Sequence, residues 1–179
     1  MALSSTVHTV DIDLADSDRG VYETLALRVA RHPSESEEYL VTRLLAYCCE
    51  YAPGIEFSRG GLSDPDEPPI AIRDPTGALR AWIDIGTPAA DRLHRASKAA
   101  PRVAVYVHRE AQQWLAGLAG AKIHGADALQ LFAIDRSLVA SCAARLDRRM
   151  SLAVALSGQE LFVSFADETI SGAVTRLTL

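Results

Sequence analysis

Cysteine supplies no framework in this chain. The three thiols stand at Cys48, Cys49 and Cys142, so there is neither a CxxC spacing nor an even-numbered disulfide set. Long apolar runs are missing as well: no stretch approaches the ~20 residues that a bilayer-spanning helix needs. Met1 to Thr6 lack the basic start and apolar run of a signal peptide. Reduced thiols without such segments predict a bacterial-type cytoplasmic protein that makes no membrane contact. Basic charge is scarce, and a net charge of -5 argues against a general nucleic-acid-coating protein, leaving room only for a locally basic groove. Common enzyme signatures are also missing. Gly60-Gly61 lacks the Walker lysine and serine, and no Gly-x-Ser-x-Gly elbow occurs. The five histidines, His8, His32, His94, His108 and His124, show no paired metal spacing. Trp82 and Trp114 read as core or interface anchors. No repeats, low-complexity tracts or linkers interrupt the chain.

What is present is enough apolar material for a real core: 179 residues, 49% hydrophobic. Residues 5–14 and 21–31 alternate and flank Asp16-Ser17-Asp18-Arg19-Gly20, which predicts a hairpin. Ser34 with Glu37 reads as a capping box opening a helix to about Glu50. Extended segments follow at 55–58, 70–72 and 79–85, the last two joined at Asp74-Pro75-Thr76-Gly77. Pro88 opens a helix that Pro101 ends. Residues 103–107 read as a strand, 110–118 as a helix, 129–134 as a strand and 136–149 as a helix. The tail carries strands near 152–156, 161–165 and 173–177. The two β-rich ends are expected to pair into a second sheet, an economy that leaves no strand alone.

Several of these segments resemble one family. Arg31-His32-Pro33-Ser34-Glu35-Ser36-Glu37-Glu38, Arg43-Leu44-Leu45-Ala46-Tyr47, Gly61-Leu62-Ser63-Asp64, Asp66-Glu67-Pro68 and Trp82-Ile83-Asp84-Ile85-Gly86 are similar to the YaeQ family, as are Leu14 to Arg19 and Val103 to Tyr106. The match is denser over the first 110 residues than in the tail. The resemblance implies an α+β fold, a variant of the PD-(D/E)XK (restriction-endonuclease-like) αβββαβ core. That core would span about 33–135 of a single domain over 1–179, beside a β-rich lobe from about 1–31 and 150–179. It also implies a site of helix glutamate, strand acids and a lysine, in which the acids hold Mg²⁺.

On that pattern Glu38 is the helix acid and Asp84 the strand acid. Glu38 lies at the edge of the apolar arc; it serves either the site or the helix N-terminal dipole, and the dipole alone accounts for Glu35 and Glu37. Asp84 shares a strand face with Trp82, and an isolated carboxylate there would cost several kcal/mol, about the penalty for an unpaired buried charge. It therefore meets a metal, a set of donors, or a cation from Arg92, Arg95 or Lys98. Two departures stand out. Where relatives carry Pro-Asp, this chain has Pro68-Pro69, with Asp66 or Glu67 as the acids nearby; two residues after Asp84 stands Gly86, not lysine. Arg92, Arg95 and Lys98 form one helical ridge opposite the stripe Ala89, Leu93, Ala96 and Ala100, either solvated or facing phosphate. The candidates are thus Glu38, Asp84, Lys98 and Arg95 for catalysis and Glu38, Asp84 and Asp66 for metal. The reading is a degenerate, non-catalytic nuclease-like protein binding a protein or nucleic-acid partner through this cleft; the alternative is a Mg²⁺-dependent nuclease using Glu38 and Asp84.

Overall fold

The computed structural model describes residues 4–58 and 64–179. Gly60-Gly61, the motif residues Gly61-Leu62-Ser63 and the start of the chain at 1–3 lie outside the described residues. Along the chain come strands β1 (Thr6–Asp16) and β2 (Val21–Arg31), helix α1 (Glu37–Glu50), strands β3 (Ile55–Phe57), β4 (Ile70–Arg73) and β5 (Leu79–Ile85), helix α2 (Ala90–Ala99), strand β6 (Arg102–Val107), helix α3 (Ala111–Leu118), strand β7 (Gln130–Ile134), helix α4 (Arg136–Ala143), and strands β8 (Arg149–Ser157), β9 (Glu160–Ser164) and β10 (Thr169–Leu177). No helix of the described residues is long and apolar enough to cross a membrane.

The expected hairpins form. β1 and β2 pair antiparallel from Thr6↔Arg31 to Asp16↔Val21. The turn closes because an Asp16 carboxylate oxygen accepts from the backbone N–H of Asp18 and Arg19 at 3.1 and 3.0 Å. Period-two alternation puts Val10, Ile12 and Leu14 inward beside Leu25, Leu27 and Val29. Parallel pairing of β1 with β8, from Thr9↔Arg149 to Asp16↔Leu156, joins the two ends of the chain.

The two ends pair as expected, but the expectation that they form a separate sheet is corrected. β10 bonds to β9 through Thr169–Ala173 and to β7 through Val174–Leu177, so the strands of the described residues form one ten-stranded sheet, β2-β1-β8-β9-β10-β7-β6-β5-β4-β3. Strands from both halves of that order share a single core with α1, which means the sheet curls around the helix. Leu40, Ala46 and Cys48 on α1 are fully buried there. On the opposite face of β5, β6 and β7 a second core holds Trp82, Leu93, Val105, Trp114 and Leu131 under α2 and α3.

Three helix boundaries move. Ser36, not Ser34, caps α1, its hydroxyl accepting from the Tyr39 N–H at 3.1 Å. Residues 32–35 are held in their own turn, with Glu35 N–H donating to the His32 carbonyl at 2.9 Å, so the helix begins two residues later. α2 begins at Ala90 with Ala89 as its cap, two residues past Pro88. α4 ends at Ala143 rather than Arg149: tight three-residue bonds from Arg145 and Leu146 close it before Arg149 enters β8 opposite Thr9.

Asp135 fixes the other end of α4, accepting from the N–H of Ser137 and Leu138 at 2.8 and 3.0 Å. Its own N–H donates to Ala173 of β10 at 2.9 Å, which draws the helix onto the strand. A Cβ at Gly172 would lie 2.7 Å from the Cβ of Asp135 and 2.8 Å from that of Leu138. Gly172→Ala is therefore expected to cost about 1–3 kcal/mol, the range for overpacking. Urea unfolding would record it as a lower midpoint at unchanged slope.

Candidate functional site

Asp84 is 2% exposed and stands on the α2 face of β5, away from α1. Its Oδ2 accepts from Arg92 Nε at 2.7 Å and from Trp82 Nε1 at 3.2 Å, and its Oδ1 from Ile85 N–H at 3.3 Å. Arg92 is committed beyond that pair. Its two terminal nitrogens each donate at 3.0 Å, one to the carbonyl of Pro65 and one to that of Glu67, and its guanidinium lies 5.3 Å from the centre of the Trp82 ring. Of the three cations the sequence offered, the fold selects Arg92. The pair doubles as a clamp that holds the 64–69 loop against β5.

Beside Asp84, where β5 and β6 end, opens a pocket of about 430 Å³ lined by Glu35, Tyr39, Gly86, Arg92, His108 and Arg109 among others. Gly86 has φ +82°, a conformation that disfavours any side-chain-bearing residue. The place where a nuclease lysine is expected is thus a backbone turn, so restoring lysine there would strain the chain. Glu35 is a buried carboxylate: its side chain is 0% exposed, with Arg43 Nη2 at 3.2 Å from one oxygen and His32 N–H donating to the other at 2.6 Å. Burial raises its pKa, and Arg43 opposes the shift. Burial, then the charge of Asp84, raises that of Tyr39, so the phenol keeps its proton.

His108 is the least satisfied group in the pocket. It is 5% exposed, and neither ring nitrogen finds a hydrogen-bond partner among the described residues. Burial, then the charges of Arg109 and Arg136, lower its pKa, so the ring is neutral near pH 7 and offers one donor and one acceptor. Buried polar atoms of this kind are rare without a reason, and a ligand is one such reason.

A divalent ion does not fit this donor set. Asp84 Oδ2 is already occupied by two donors, and among the described residues no three His, Cys, Asp or Glu side chains converge. The thiols are free and buried or half-buried; burial pushes Cys142 up to about 11 and Cys48 to about 12, far from nucleophilic character at neutral pH.

The YaeQ protein family model matches residues 1–174. The chain belongs to the YaeQ family. It is 31% identical over 166 residues to the Uncharacterized protein YaeQ of Escherichia coli (strain K12), covering 92% of this chain and 91% of that one. The Salmonella typhi relative of the same name is 32% identical over 168 residues, covering 93% and 92%. Among solved structures, the YaeQ protein from Pseudomonas syringae superposes with TM-score 0.86 at 30% identity, over 98% of this chain and 97% of that one. The YaeQ protein from Xanthomonas axonopodis pv. citri gives TM-score 0.88 at 28% identity, over 98% and 99%. The mixed α+β fold is thus that of the solved YaeQ structures.

Within this YaeQ fold the sequence-derived candidates are dispersed. Glu38 does not line the Asp84 pocket; its side chain is 31% exposed, with Oε2 3.7 Å from His108 Nε2. Asp66 is 78% exposed and pairs loosely with Arg95 at 3.6 Å. Lys98 is exposed and, like Arg95, lies outside the pocket lining. Pro69 and Pro68 are buried. Glu35 and His108 are what the sequence reading missed. Glu35 precedes the helix and so escapes helical periodicity. His108 follows the buried strand Val103–Val107 directly, a placement that a strand-end reading can detect.

Proposed function

We propose that this YaeQ chain is a non-catalytic binding protein on a nuclease-like scaffold, whose His108 pocket holds a phosphate of a nucleic-acid partner. The chain order α1-β3-β4-β5-α2-β6, with β5 and β6 parallel, supports the αβββαβ scaffold. The observation that carries the reading is the buried, unpartnered His108 at the pocket wall, with exposed Arg109 on the rim. The carboxylates lining the pocket are neutralised from within, Asp84 by Arg92 and Glu35 by Arg43. Among the described lining residues Arg109 is therefore the free charge and an anion is the matching ligand, with Glu38 behind His108 the one nearby acid that opposes it. A catalytic reading needs Asp84 as a metal ligand, and Arg92 already holds that oxygen.

Fluorescence anisotropy with 5′-phosphorylated DNA and RNA, single- and double-stranded, tests this. Micromolar binding at low salt is expected, weakened about tenfold or more by Arg109→Ala and by His108→Ala, a loss of at least ~1.4 kcal/mol each. Added Mg²⁺ or Mn²⁺ should release no cleaved product. Absence of binding to every nucleic acid sinks the reading, and binding of an acidic peptide alone would transfer the pocket to a protein partner. Cleavage abolished by Asp84→Ala would instead establish the Mg²⁺-dependent nuclease with Glu38 and Asp84 as ligands and Lys98 or Arg95 on the phosphate.

A further inference from the structure

A second cavity, of about 550 Å³, lies at the C-terminal end of α1, opposite the His108 pocket along that helix. Its size is within the range of small-molecule sites. The polar floor is self-contained. Glu50, the last residue of α1 and 5% exposed, accepts from both terminal nitrogens of Arg102 at 2.6 and 2.9 Å and from Tyr106 OH at 2.7 Å. Arg102 Nε donates to Gln130 at 2.8 Å, so these groups have no unmet demand of their own.

Above the floor runs a row in register across three strands. Tyr106 on β6 stands opposite Phe132 on β7, and Phe132 opposite Arg176 on β10. The two rings stack with centroids 4.9 Å apart and planes 19° apart, and the Arg176 guanidinium carbon sits 5.3 Å from the Phe132 centroid. Among the described residues Arg176 makes no ion pair and no hydrogen bond, whereas Arg19, the other cation at the mouth, is spent on Asp16 at 2.6 Å and on the Tyr51 and Cys48 carbonyls. Asp16 is neutralised by Arg19 and Glu50 by Arg102, and Asp18 accepts the Gly158 N–H at 2.8 Å, so among the described residues Asp18 and Glu160 are the wall carboxylates without a cation. On the rim, Gln159 sits at φ +69° in the turn between β8 and β9, where glycine would be free of strain.

We infer that this cavity binds a small organic acid with an apolar body, that body against the ring edges of the Tyr106–Phe132 stack and its carboxylate against Arg176. Phe132 is flanked by Tyr106 and Arg176, so the aromatic row supplies an apolar wall of ring edges, and the guanidinium supplies a bidentate fork for a carboxylate. Glu160 faces the same space and weakens the seat, which gives the inference a charge-specific signature. The site shares no lining residue with the His108 pocket and stands whether or not that pocket binds nucleic acid.

Isothermal titration with 1-naphthoate, and with uncharged 1-naphthalenemethanol as control, tests it on the full chain. A single saturable site for naphthoate is expected, with the alcohol weaker by about tenfold, a loss of the order of one charged contact. Arg176→Gln should weaken naphthoate about tenfold and leave the alcohol unchanged. Arg176 is exposed, so that variant should keep its fold, which far-ultraviolet circular dichroism confirms. Glu160→Gln should tighten naphthoate several-fold, and His108→Ala should leave it untouched. The inference is overturned if naphthoate shows no saturable binding up to about 1 mM, well above the range of small-molecule affinities of interest. It is equally overturned if Arg176→Gln has no effect, or if His108→Ala abolishes binding.

Discussion

Replacing Arg43 by methionine is expected to lower the unfolding free energy by about 3–5 kcal/mol, the range for breaking a buried ion pair from one side. The side chains of Arg43 and Glu35 are 1% and 0% exposed, so the carboxylate left behind is buried without its cation. Arg43 also donates to the Ala30 carbonyl at 2.6 Å, tying α1 to β2, and lies 5.7 Å from the Phe57 ring. The double variant Glu35→Gln with Arg43→Met removes both charges at nearly constant volume and should recover most of the loss, because desolvation offsets much of what the pair contributes. Urea unfolding of the four proteins in a double-mutant cycle measures the coupling directly.

The same pair predicts a pH dependence. Burial raises the folded-state pKa of Glu35 above its ordinary 4.5, and Arg43 is the largest influence holding it down. A carboxyl with a raised folded pKa binds its proton more tightly in the folded chain. Its contribution is therefore complete below about pH 4.5 and is lost as pH rises through the folded value. Without Arg43 that value climbs further, so Arg43→Met should be more destabilised at pH 8 than at pH 5. Glu35→Gln removes this slope. An Arg43→Met penalty that is flat across that interval would mean that Glu35 reaches solvent.

Local features of this fold were legible in the residues, and long-range ones were not. The β1–β2 hairpin follows from alternation around a turn whose Asp16 side chain binds the next N–H groups, all within a few residues. The packing stripe of α2 was legible except at its start: Leu93, Ala96 and Ala100 are buried as their spacing requires, while Ala89, expected in the same stripe, is exposed as the helix cap. The β1–β8 pairing brings together residues about as far apart as the chain allows, and nothing in either strand names its partner. The junction of β10 with both β9 and β7 is of the same kind, and it alone turns two expected sheets into one. The cap of α1 was misplaced by two residues because Ser34 with Glu37 satisfies the local pattern as well as Ser36 does, and the His32–Glu35 turn decides between them.

The site divides along the same line. Period two put Asp84 on the Trp82 face of its strand and therefore required a metal, a set of donors or a cation, but the choice among these, and among Arg92, Arg95 and Lys98, depends on where α2 crosses β5, a tertiary fact. Glu38, picked for its place on the helical wheel, lies on the α1 side of a strand whose aspartate points to the other side, so the two can approach only around the end of the sheet. What helical periodicity cannot reach is a residue before the helix begins, and Glu35 is that residue. Its burial came from the fold of the 32–35 turn, not from any repeat.

Asp84→Asn should distinguish a structural clamp from a ligand-binding carboxylate, and the sign of the stability change is the readout. If Asp84 serves to neutralise Arg92, the amide removes the charge that holds a 2.7 Å ion pair and a tryptophan N–H, and the protein loses stability by about 1–3 kcal/mol. Arg92→Met should cost more, about 3–5 kcal/mol, because it strands a carboxylate only 3% exposed and also frees the Pro65 and Glu67 carbonyls of the loop. Joined as Asp84→Asn with Arg92→Met, the losses should fall well short of their sum, the signature of two groups that exist for each other. A carboxylate kept for a metal or a substrate behaves in the opposite way, since its charge strains the empty fold and its removal stabilises. A rise in melting temperature for Asp84→Asn would therefore count against the clamp and reinstate Asp84 as a chemical group, with Arg92 a partner that moves aside. The expected fall, with Arg92→Met the larger of the two, ties the aspartate to the 64–69 loop and leaves His108 and Arg109 as the groups free to meet a ligand.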